Sequence, residues 1–90
     1  MKQIERNNRI KFFEEVLCNS LKNNLETLNK IETLLEEIIV IRDLNSSSSP
    51  GKIEKLFKEK DALKMQSYIY KAIIAKTEDN IDRLKRGEDI

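Results

Sequence analysis

The sequence predicts an all-α fold, a long antiparallel helical hairpin packed like a coiled coil, and three observations carry that expectation. The one cluster of helix-breaking residues is Ser46-Ser47-Ser48-Ser49-Pro50-Gly51, near the middle of a chain of 90 residues. On either side runs a segment of roughly 35 residues with no Gly or Pro inside it, long enough for a helix of many turns. In both segments apolar residues recur in steps of three or four, the period of a helix and not of a strand. Hydrophobic residues make up 39% of the chain and charged residues 37%, a balance that suits helices sharing a narrow apolar seam. Ninety residues are one small domain, 1–90.

Taken in order, residues 1–8 are polar and include Asn7-Asn8, so they read as a frayed start or a first turn. Asn8 is placed to cap a first helix over about residues 9–44. Its apolar positions run Ile10, Phe13, Leu17, Leu21, Leu25, Leu28, Ile31, Leu35, Ile38 and Ile41, with a mean step near that of a coiled-coil seam. Asn19, Asn23 and Asn24 thin the seam beside Leu21 and Leu25. Near its end the stripe widens, since Leu34, Leu35, Ile38, Ile39, Val40 and Ile41 occupy more than one face.

A hinge over 45–51 follows, with Ser49 as N-cap and Pro50 at the first position of the next helix. The second helix, about 50–86, has the stricter repeat: Ile53, Leu56, Lys60, Leu63, Ser67, Tyr70, Ile74, Thr77, Ile81 and Leu84 alternate steps of three and four. Beside it runs a second stripe of Phe57, Ala62, Met65, Ile69, Ala72 and Ile73. Lys85 and Arg86 suit a helix C-terminus, Gly87 suits a C-cap, and 87–90 read as a frayed tail.

Chemistry is hard to place on this chain. It has no His, which removes the commonest general base and metal ligand. Glu14-Glu15 and Glu36-Glu37 are adjacent pairs, and adjacent helical residues diverge. Ser49-Pro50-Gly51-Lys52 lacks the flanking glycines and preceding strand of a phosphate-binding loop. The single Cys18 has no His beside it and reads as a small apolar residue at the seam edge. We therefore expect no catalytic residue, no cofactor and no metal.

A net charge of +1 provides no field to steer the chain to nucleic acid. Lys52, Lys55, Lys58, Lys60 and Lys64 crowd the start of the second helix, but Glu54, Glu59 and Asp61 are interleaved. The longest apolar run, Ile38-Ile39-Val40-Ile41, falls far short of a membrane span. No apolar core of a signal peptide follows Met1. A cytoplasmic protein, or a nuclear one in a eukaryote, is the expectation.

What remains is more apolar width than one seam uses. Phe12, Ile39, Phe57, Met65, Ile69 and Ile73 are the expected protein interface. Two hairpins joined through such residues would make a four-helix bundle, as a homodimer or within a hetero-complex. The function expected is protein–protein interaction by a structural or adaptor subunit. A small regulator binding one partner, of the inhibitor, antitoxin or secretion co-chaperone kind, is the alternative. A weak nucleic-acid binder using the Lys-rich start of the second helix comes third.

Overall fold

The computed structural model describes residues 1–43 and 50–90, and the expected serine hinge with its Ser49 cap lies outside the described residues. The chain is a helical hairpin of two long helices, α1 (Gln3–Asp43) and α2 (Pro50–Lys85), with no strand among the described residues. It divides into two compact units. One joins Met1–Asn24 to Ile69–Ile90; the other is Leu25–Tyr68.

In the terminal unit, α1 buries or half-buries Arg6, Ile10, Phe13, Leu17, Ser20 and Asn24. From α2 come Tyr70, Ile74, Thr77, Ile81 and Leu84, the last with no exposed surface at all. In the second unit Thr27, Ile31, Leu34, Ile38 and Ile41 face inward from α1, and Ile53, Leu56, Lys60, Leu63 and Ser67 from α2. These positions follow the alternation of three and four, the condition for a seam that stays on one side of a helix, and Val16, Phe57, Asn80 and Arg83 are buried or half-buried beside it.

On α2 this seam is the one read from the sequence. On α1 it is not. Leu21, Leu25, Leu28 and Leu35 were expected inside and are exposed, at 49%, 60%, 40% and 39%. The inward residues are their predecessors Ser20, Asn24, Thr27 and Leu34. The reason is periodic. The leucine path needs two successive steps of four (17, 21, 25) and then two of three (25, 28, 31), which wanders around the helix. The path through Ser20, Asn24 and Thr27 keeps the strict alternation from residue 6 to residue 41.

Both ends of the terminal unit carry hydrogen bonds that composition does not suggest. Helix α1 starts at Gln3, so Asn8 lies within it and caps nothing. Glu5 meets the positive end of its dipole and Gln3 bonds Asn7 across one turn, Nε2 to Oδ1 at 2.9 Å. The residues after Lys85 make hydrogen bonds of their own. Gly87, at φ +92°, donates to the Leu84 carbonyl at 3.1 Å, and Glu88 donates to the Arg83 carbonyl at 2.9 Å. This is the paired closure of a Schellman cap, which needs a left-handed residue and so favours glycine. Arg6 then donates from Nη1 to the carbonyls of Leu84 and Glu88, both at 2.9 Å, and from Nη2 to Asp89 at 3.2 Å. Arg9 bonds the carbonyl of Ile90. A cation at a helix C-terminus satisfies carbonyls that have no partner within the helix.

A candidate partner-docking surface

The residues displaced from the seam of α1 are the most distinctive surface of the second unit. Leu25, Leu28, Leu35 and Ile39 each follow a seam position by one residue, so they lie about 100° around the helix from it. They form a second stripe with its own alternation of three and four, interrupted by Glu32. Ile39 is 55% exposed and Val40 beside it 53%. In the same unit Thr27 of α1 and Ser67 of α2 are both buried. Small polar residues thus face the hairpin's interior while leucines face water. Transfer energetics alone would favour the reverse, because a fully buried Leu is worth about 1.5–3 kcal/mol over an exposed one.

Of the six residues expected at the interface, Phe12, Ile39, Met65, Ile69 and Ile73 are exposed and Phe57 is half-buried. They fall in both units. Ile39, Phe57 and Met65 belong to the second unit; Phe12, Ile69 and Ile73 belong to the terminal one. Phe57 is covered by Lys60, whose ammonium sits 4.8 Å from the ring centroid. That lysine occupies a seam position with only 14% of its side chain exposed, and its charge reaches Asp61 at 3.4 Å. Phe12 packs edge-on to Phe13, ring centroids 5.5 Å apart. Met65 and Tyr68 are exposed on α2, at 68% and 77%.

Leu25, Leu28 and Leu35 were missed as surface residues because a leucine string attracts assignment to the core. The signal that would have found them is the broken alternation of their spacing. Cys18 was missed in the same way. It is exposed, one residue past Leu17, and not tucked at the seam edge.

A shallow groove in the second unit is lined by Lys30, Leu34, Glu37, Glu59 and Leu63. Its charged residues stand one before a seam position, whereas the leucine stripe stands one after, so groove and stripe occupy opposite flanks of α1. Among the described residues, no three His, Cys, Asp or Glu side chains converge as a metal site, and no helix is long and apolar enough to cross a membrane. Compared with protein-family models, with curated proteins and with solved structures, the chain matches none.

Proposed function

We propose that this protein is a non-enzymatic protein–protein interaction module, a small structural or adaptor subunit that docks through the leucine stripe of α1. One observation carries the reading. Leu25, Leu28, Leu35 and Ile39 stand exposed at coiled-coil spacing while Ser20, Asn24 and Thr27 occupy the seam. A hairpin selected for its own stability alone would place those leucines inside. An exposed stripe with the period of a seam fits a further helix. Covering it recovers part of the transfer energy, offset by lost motional freedom and side-chain ordering. Ile39 belongs to this surface. Met65, Ile69, Ile73 and Phe12 offer further apolar area on which a larger assembly, such as a four-helix bundle, can draw.

The Lys-rich start of α2 supports phosphate binding poorly. Lys58 pairs with Glu54 at 3.5 Å and Lys60 with Asp61. The test is a photo-crosslinking residue at position 28 of the full chain, expressed in its own cell. A covalent adduct with a protein, identified by mass spectrometry, is the expected result. Illumination that yields only uncrosslinked chain at position 28 overturns the docking reading.

A further inference from the structure

We propose that the segment Glu88-Asp89-Ile90 is an internal ligand of the terminal unit, and that the arginines holding it take an acidic segment of another protein when it lifts away. The argument starts from where four arginine side chains point. Arg6 donates to the Glu88 carbonyl and to the Asp89 carboxylate, and Arg9 donates to the Ile90 carbonyl. Arg83 Nε lies 3.5 Å and Arg86 Nη2 3.4 Å from the two oxygens of the Glu88 carboxylate. Other carboxylates stand at hand. Glu5, Asp79 and Asp82 precede Arg9, Arg83 and Arg86 by four residues, the usual spacing for a pair along one helix. Among the described residues these arginines nevertheless turn to residues 88–90. A segment offering carboxylates and peptide carbonyls together suits the planar fork of an arginine.

The segment is held in a way that lets it exchange. Glu88, Asp89 and Ile90 are all exposed, so water and salt weaken their ion pairs. Their path is set by Gly87, at φ +92°, a conformation that glycine alone holds without strain. When the segment lifts, Arg9, Arg83 and Arg86 can fall back on Glu5, Asp79 and Asp82. Arg6 is different. Its side chain is only 14% exposed, and it loses both the Glu88 carbonyl and the Asp89 carboxylate. A buried guanidinium short of acceptors is what an incoming segment satisfies, which makes Arg6 the anchor. Four guanidiniums also face two carboxylates, so positive charge is left over for a more acidic occupant. The carbonyls bound by Arg6 and Arg9 match a peptide and not a phosphate backbone. This site is separate from the leucine stripe, and its failure leaves the docking reading standing.

The test compares the purified full chain with a variant that frees the segment, Gly87→Val with Glu88→Gln and Asp89→Asn. The probe is a fluorescein-labelled hexaglutamate peptide, followed by anisotropy at low salt. Amide hydrogen exchange at positions 87 and 88 should speed up in the variant, and the probe should bind it about tenfold more tightly than it binds the native chain. Adding Arg6→Ala to the variant should remove that gain. Arg9→Gln, at an exposed position, should remove part of it with helicity unchanged, and it keeps the test decisive if Arg6→Ala unfolds the chain. Equal affinity of variant and native chain for the probe overturns the proposal. So does protection that persists at position 88 in the variant, because the segment would then be a fixed part of the fold. Binding of a labelled hexathymidylate more tightly than hexaglutamate overturns it as well, by showing a site for phosphates instead of peptide.

Discussion

The inner and outer faces of α1 are made of opposite materials. Inside, at Ser20, Asn24 and Thr27, the seam carries side chains that bury little apolar area. Outside, at Leu25, Leu28 and Leu35, it carries leucines. Helix α2 shows only half of this pattern. Its seam also takes in Ser67 and Thr77, but the outer apolar positions that keep the alternation, Ala62, Met65, Ile69 and Ala72, include two alanines and no leucine. The difference separates two tasks. Polar positions in a coiled-coil seam lower stability and fix register, which suits a hairpin that must close in one way. A regular apolar stripe on the other side is what a partner helix needs. Cohesion then falls on a few positions, chiefly Ile31, Ile38, Leu56, Ile81 and Leu84, which are the buried apolar side chains among the described residues.

The largest effect should separate these faces directly. Leu84→Ala removes the one large side chain with no exposed surface among the described residues and should cost about 2–5 kcal/mol in urea unfolding. Leu25→Ala, at a position 60% exposed, should change the stability of the dissociated chain by less than about 0.5 kcal/mol. The same substitution should weaken association measurably. If Leu25→Ala unfolded the chain at dilutions where no assembly remains, the stripe would be part of the hairpin's own core and the contrast between faces would fail.

A second effect, smaller and of opposite sign, concerns polarity on the inner face. Asn80 is buried next to Ile81, and its carboxamide oxygen has no hydrogen-bond partner. Burying such an oxygen costs free energy that an apolar residue would not incur. Asn80→Ala also improves helix propensity. The expected result is a gain of about 1 kcal/mol, read as a higher urea midpoint at unchanged slope. A loss of that size would show that the amide makes an interaction worth keeping.

How far the sequence disclosed this structure depends on which helix is read. On α2 a single strict alternation exists, from Ile53 to Leu84, and the seam follows it. On α1 two strings lie one residue apart. Hydrophobicity favours the leucine string, whereas geometry favours the one with constant period. Geometry prevails because a seam that drifts around the helix cannot stay on a straight partner. The start of α1 and the end of α2 were underread for another reason. Arg6 and the tail sit at opposite ends of the sequence, and nothing local to residues 1–8 or 87–90 announces that Arg6 closes the cap at Gly87. The leucine stripe is legible in kind, as surplus apolar width, but hydrophobicity alone places most of its residues in the interior.

A third test stays on the inner face. The Thr77 hydroxyl bonds the Ile73 carbonyl at 2.7 Å, within its own helix. Thr77→Val removes a donor whose acceptor is a helical carbonyl. Bonds of this type bend helices slightly and add little to their stability. The change should stay within about 1 kcal/mol of neutral, checked by thermal unfolding at fixed concentration.

The smallest effect belongs to the charged surface of α2. Glu54 and Lys58 stand four apart in the favoured order, 3.5 Å between charges, with side chains 69% and 77% exposed. Water and salt screen such a pair, and holding two long side chains together costs entropy. Glu54→Gln should therefore change stability by less than about 0.5 kcal/mol, and less still at high salt. The measurement is a pair of urea titrations at low and high ionic strength. A larger, salt-sensitive loss would mean that surface charges help hold α2 against α1. The weakness of the polar seam would then be compensated from outside the hairpin's core, and the leucine stripe would no longer be the only resource the outer faces hold.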